Sequence, residues 1–190
     1  MALKFEGFKY LPKAAVFDLD YTLWPLYVDC LSGPPFRLKN HIVTDRSGSR
    51  ITFYKDVPLI LHSLKDHGIK IGIASRTGAI SWAEKIVQLI PLPQIQEDKS
   101  SNSVTYSKTL KNVVDAIEIY PTSKVRHIKQ IAKKFDINLN EILFFDDENR
   151  NIHDIRGIGV TSILVNNGMT VKVLHEGLKK FNNNMKDIYS

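Results

Sequence analysis

Asp18 and Asp20 stand two residues apart in the string FDLDYTLWP, directly after the apolar run AAVF at 14–17. Carboxylates this close raise each other's cost of ionisation, and the usual remedies are a bound cation or one retained proton. Both remedies serve phosphoryl transfer, in which one carboxylate approaches an anionic phosphorus centre and another acid manages a proton. A second acidic pair, Asp146 and Asp147, ends the apolar run ILFF at 142–145. Between the pairs lie Ser75, after the apolar stretch 69–74, and Lys124 in YPTSK. A hydroxyl donates to a phosphate oxygen, and a lysine neutralises phosphoryl charge. Taken singly, each feature has a plain structural reading too. Aspartate after a strand forms turns, DDEN starts a helix, Ser75 caps one, and Lys124 is a solvated surface cation.

The elements that must position these residues follow from hydrophobic period. Strand-length apolar runs at 14–17, 69–74, 116–120, 142–145 and 160–165 alternate with helical stripes at 56–68, 78–90, 123–135, 149–157 and 171–181. That alternation predicts an α/β fold, a three-layer sandwich of Rossmann type around a central parallel sheet. Runs without polar alternation suit strands buried on both faces, whose acidic residues then emerge at the carboxyl edge. Pro91 and Pro93 end the second helix because proline supplies no amide donor.

Two stretches break the rhythm. Residues 26–54 hold Pro34, Pro35 and alternating segments at 40–44 and 50–54 joined by DRSGS, which predicts a β-hairpin flap over the carboxyl edge, where open α/β sheets bind ligands. Residues 94–108 are polar and rich in Ser, Asn and Lys and read as an exposed loop. Trp24 suits packing and substrate contact equally, whereas Tyr27 reads as packing.

The chain has 190 residues, 43% hydrophobic and 24% charged, enough apolar surface for one globular domain over 1–190 and too little charge for disorder. A net charge of +6 favours anionic substrates without calling for nucleic acid. Cys30 is the single cysteine, so no intrachain disulfide forms, and a reducing cytoplasm is the expected location. Lys4, Glu6, Lys9 and Lys13 interrupt the first twenty residues, leaving no signal-peptide core, and charges break every later apolar run before membrane-spanning length.

Together, FDLDYTLWP, ASRT, YPTSK and FFDDENRN, in that order, resemble the four ordered motifs of the haloacid dehalogenase superfamily phosphatases, and the resemblance spans residues 14–165. It implies a Mg2+-dependent phosphomonoesterase with Asp18 as nucleophile, forming an aspartyl phosphate, and Asp20 as general acid and then base. The Asp18 side chain, the Asp20 backbone carbonyl and the Asp147 side chain would hold Mg2+. Ser75 and Lys124 would take nonbridging oxygens, backbone amides around Leu19 would complete the cradle, and Arg76 would add a planar fork. Asp146 and Asn151 would orient the metal shell. The implied substrates are aryl phosphates, phosphotyrosine in a peptide or protein, and sugar or glycated-amine phosphates.

Other readings compete. A cysteine phosphatase needs a thiolate in an amide-lined loop, whereas Cys30 precedes the proline-rich LSGPPFR. A receiver-like phosphoacceptor shares the residue types, but its acidic pair comes early in the chain. A phosphotransferase or mutase needs water excluded by a larger closing domain than the flap supplies.

Overall fold

The computed structural model describes residues 3–95 and 104–189. Along the chain come β1 (Ala14–Phe17), the short strands β2 (Arg37–Lys39), β3 (Ile42–Thr44) and β4 (Arg50–Ile51), then α1 (Val57–Asp66) and β5 (Lys70–Ser75). They are followed by α2 (Ile80–Leu89), β6 (Pro91–Ile95), β7 (Val104–Thr109), α3 (Leu110–Val113), β8 (Ala116–Ile119) and α4 (Lys124–Phe135). The described chain ends with β9 (Ile142–Asp146), α5 (Asn149–Arg156), β10 (Thr161–Leu164) and α6 (Val171–Tyr189).

Five strands form the central sheet in the order β10-β9-β1-β5-β8, and every pairing in it is parallel. β1 shows why its sequence is apolar throughout. Ala15 and Phe17 enter one core with residues of α1, α2 and α6, whereas Ala14 and Val16 enter the other with residues of α4 and α5. A period of two with both faces covered yields an uninterrupted run, and the result is the expected helix–sheet–helix sandwich. From β1 the chain first builds outward to β5 and β8, then returns to place β9 and β10 on the other side. The carboxyl end of β1, flanked by β5 and β9, is therefore a topological switch point, where such sheets leave a crevice.

The insertion after β1 is richer than the expected hairpin. β3 and β4 pair antiparallel through Val43↔Ile51 and Thr44↔Arg50 across the 45–49 turn. A further strand, β2, pairs with β3 through a turn in which Asn40 and His41 have φ of 49° and 61°. Two consecutive left-handed residues make the tight turn whose twist suits a hairpin, so Asn40 lies in the turn and not in a strand. Asp45 organises the second turn: its carboxylate accepts the amides of Ser32 at 2.8 Å and of Ser47 and Ser49 at 2.9 Å each, and the Ser47 hydroxyl at 2.8 Å.

The polar stretch also departs from expectation. Instead of loop throughout 94–108, β6 and β7 form an antiparallel ribbon, with Gln94↔Thr105 and Ile95↔Val104 in register. The register shifts between Leu92 and Gln94, where Pro93 has no amide to donate. Residues 96–103 of the expected loop lie outside the described residues. α6 runs on to Tyr189 because Phe181 and Met185 continue its buried stripe. Among the described residues no helix is long and apolar enough to cross a membrane.

Candidate active site

Asp18 continues β1, its amide donating to the Phe145 carbonyl at 3.0 Å, which sets its side chain at the switch point with 8% exposure. The chain then turns tightly. The Leu19 carbonyl accepts the amides of Thr22, Leu23 and Trp24 at 3.3, 2.8 and 3.4 Å, and Tyr21 takes a left-handed φ of 52°. The Leu19 side chain is packed in the core, and Leu19 is not among the residues that line the cavity. Both Asp20 oxygens are held, Oδ1 by Trp24 Nε1 at 2.7 Å and Oδ2 by the Val28 amide at 3.1 Å. Trp24 is fully buried and Tyr27 is 48% exposed, with Tyr27 lining the cavity. Packing thus claims the tryptophan, and the tyrosine read as packing faces the mouth.

Lys124 opens α4 behind the N-cap Ser123, whose side chain accepts the Val125 amide at 3.2 Å. Its ammonium is buried and donates to the Asp18 carboxylate and the Ala74 carbonyl, with Asp146 Oδ2 at 3.0 Å. One cation thereby ties together the ends of β1, β5 and β9. One turn further on, His127 faces the carbonyls of Ser123 and Tyr120 at 3.0 Å each and stacks on the Tyr120 ring at 4.2 Å, fastening the turn that presents Lys124. The sequence carried no signal for that role, since a lone histidine at helical spacing has no partner visible in the string.

Asp146 is fully buried. Its Oδ1 accepts the Glu148 amide and Asn151 Nδ2, both at 2.9 Å, while Oδ2 faces the Lys124 ammonium at 3.0 Å. Arg76 Nη1 reaches Asn151 Oδ1 at 3.2 Å and Glu148 Oε2 at 3.4 Å, and its Nε is buried without a partner. Ser75 is buried at the end of β5 and lines the cavity, its Oγ accepting the Thr77 amide at 3.4 Å.

These groups surround a cavity of about 220 Å3 that holds five acids, Asp18, Asp20, Asp29, Asp147 and Glu148, against two cations, Arg76 and Lys124. The sequence had not pointed to Asp29, Thr77 or Glu148, which the 3-10 turn Val28–Cys30 and the ends of β5 and β9 bring in. Burial pushes the Asp18 carboxyl up to about 7 against the pull of Lys124, with Asp146 and Asp20 adding to the rise. Burial and the Asp146 charge push Asp147 up to about 6. Asp20 is also raised, by burial working against its hydrogen bonds from Trp24 and Val28. Burial alone would lower Lys124, yet Asp18 and Asp146 hold it above its ordinary value, so it stays an ammonium.

An acid excess of this kind fits a hard divalent cation. Among the described residues no three Asp, Glu, His or Cys side chains converge as a metal cage. The set implied by the sequence needs only two side chains, Asp18 and Asp147, with the Asp20 backbone carbonyl, and both side chains line the cavity.

The sequence model described as Acid Phosphatase matches residues 10–184. Magnesium-dependent phosphatase 1 of Homo sapiens is 38% identical over 90% of this chain and 88% of its own length. A HAD-like hydrolase superfamily protein of Schizosaccharomyces pombe is 34% identical over 79% of this chain and 83% of its own length. Among solved structures, the N-terminal part of a Bacteroides fragilis protein containing a phosphatase domain, complexed with Mg, superposes with a TM-score of 0.61 at 18% identity, covering 91% of this chain. This chain spans only 41% of that one. The 3-deoxy-D-manno-octulosonate 8-phosphate phosphatase of Moraxella catarrhalis gives a TM-score of 0.50 at 18% identity, covering 94% of this chain and 92% of that one. On the strength of its motifs, its fold and these relatives, the chain belongs to the acid phosphatase family within the haloacid dehalogenase-like hydrolases.

Proposed function

We propose that this chain is a Mg2+-dependent phosphomonoesterase that works through an aspartyl phosphate at Asp18. The observation that carries the reading is the meeting of Asp18, Asp20 and Asp147 in one cavity, with Lys124 bonded to the first of them. Asp18 supplies the nucleophilic oxygen, and its bond to Lys124 fixes the direction of that oxygen. Asp20, two residues on and raised by burial, delivers a proton to the departing ester oxygen and later takes one from the hydrolytic water. Ser75, Lys124 and the Arg76 guanidinium, which line the cavity, are donors for phosphoryl oxygens. Asp146 and Asn151 act behind them, holding Lys124 and Arg76 in place. Asp18, Asp147 and the Asp20 carbonyl are the residues that would hold Mg2+, which when bound offsets the repulsion between carboxylate and phosphate.

The proposed substrates are aryl phosphates, including phosphotyrosine, and sugar or glycated-amine phosphates; the exposed Tyr27 offers a flat face to either. The test is chemical trapping. Wild type mixed with p-nitrophenyl phosphate and Mg2+, quenched and reduced with borohydride, should yield homoserine at position 18 by mass spectrometry. Turnover without that adduct, or substantial turnover by Asp18→Asn, rejects the assignment of Asp18.

A further inference from the structure

A second and larger cavity, about 390 Å3, lies between the β2–β4 insertion, the segment 52–55 that leads into α1, and the β6–β7 ribbon. Its charge is opposite in sign to that of the active site. Among the described residues its lining includes Arg50, Lys55 and His41 and no carboxylate, whereas the catalytic cavity has five acids and two cations. Arg50 and Lys55 are exposed, and neither makes an ion pair with a described residue. The floor is apolar, with Ile51, Ile90 and Pro91 buried beneath the basic rim. The ring of His41 stacks on that of Tyr106 at 3.9 Å and 7°, so the two insertions are joined at one wall of this space.

Tyr54 ties the second cavity to the residues around the first. It lines the second one, its amide donates to the Leu23 carbonyl of the catalytic turn at 2.9 Å, and its phenol lies within the electrostatic reach of Asp147 and Tyr21. Tyr21 in turn packs on Tyr27 with ring centroids 4.6 Å apart, and Tyr27 lines the catalytic cavity. A ligand long enough to extend from the catalytic cavity along these phenols would meet a surface that is apolar below and cationic at the rim. A phosphoryl group with a small, neutral leaving group fills only the first cavity, so the second calls for an occupant that is longer, negatively charged and part apolar.

We infer that this cavity is a subsite for an acidic segment of a phosphorylated polypeptide, with Arg50 and Lys55 as the residues that select it. The inference rests on the phosphatase reading above and adds to it the class of substrate. Arg50 and Lys55 determine specificity and take no part in the chemistry.

The test compares two phosphotyrosine peptides, one flanked by Asp and Glu and one by Ser and Gln, together with p-nitrophenyl phosphate, at constant ionic strength. In wild type the acidic peptide should show a KM lower by about fivefold to tenfold, as expected for two partly exposed ion pairs. In the double variant Arg50→Ser/Lys55→Ser that ratio should fall to near one, while kcat and KM for p-nitrophenyl phosphate stay at wild-type values. Charge reversal by Arg50→Glu should turn the preference towards the neutral peptide. Equal KM values in wild type, or a preference that survives the double variant, overturns the inference. So does a panel in which only sugar phosphates respond to the pair, since the occupant is then a small metabolite. Failure of the phosphatase reading itself would show separately, as absence of p-nitrophenyl phosphate turnover. In that event, anisotropy of a labelled unphosphorylated acidic peptide, bound by wild type and released by the double variant, still decides on the subsite.

Discussion

Lys124 is the buried cation on which three strand ends depend, and its removal leaves Asp18 and Asp146 facing each other without a counter-charge. Breaking a buried pair from one side costs about 3–5 kcal/mol, so Lys124→Met should lower the urea midpoint of unfolding strongly at pH 8. The loss should be smaller at pH 5, where the stranded Asp18 carboxyl takes up a proton. The carboxyls set the sign of the pH response in metal-free protein. Asp18 at about 7 and Asp147 at about 6 both lie above the ordinary carboxylate value, so the folded state binds more protons than the unfolded state between the two sets of values. Stability then falls as pH rises from about 4 to about 7. A melting series in chelator should show Tm declining across that window, and added Mg2+ should raise Tm more at pH 7.5 than at pH 5. A flat series would count against the acid cluster as the origin of cation dependence. Much of this was readable in the string, because Asp18 and Asp146 each follow an unbroken apolar run and Lys124 precedes a regular helical stripe. The choice of packing for Trp24 and the exposure of Tyr27 were not, since burial is decided by neighbours far along the chain.

At the scale of elements, one turn bears on how the loop after β1 is held and another on the flap. Gly168 has a φ of +78°, and a Cβ there would come within 2.4 Å of the Tyr54 ring. The next residue, Met169, donates its amide to the Thr22 carbonyl at 3.0 Å. Gly168→Ala should therefore cost about 1–3 kcal/mol in backbone strain and, by displacing Tyr54 or Met169, lower kcat/KM in a steady-state assay. Wild-type values for both would show that the contact is slack. In the flap, Asp45→Ala removes the acceptor of four hydrogen bonds and should destabilise by about 2–3 kcal/mol, read as a shift in Tm. Why the β2–β4 and β6–β7 elements were only partly legible has a common cause. β2 is exposed along its whole length, and β7 has no buried residue, so neither carries the alternation that marks a half-buried strand. Their pairing is set by the Asn40–His41 turn and by the ribbon around Pro93. The central strands, buried on both faces, were plain from composition alone.

For the whole molecule, a net charge of +6 coexists with an acidic catalytic cavity and a basic neighbour. Chelation should abolish phosphatase activity and Mg2+ restore it, while far-ultraviolet circular dichroism stays unchanged, because the two cores that flank the sheet involve none of the proposed ligands. Loss of helical signal on chelation would assign the ion a structural role instead. The order of strands carries a further consequence for synthesis on the ribosome. β1 is made first yet sits in the middle of the sheet, between partners that begin at Lys70 and Ile142. A nascent chain that has not passed Asp146 carries Asp18 beside an open sheet edge, lacking the acid that completes the grip on Lys124. The site is thus assembled only after β9 has been made, and the chain that stops short of β9 is the form in greatest need of protection from aggregation.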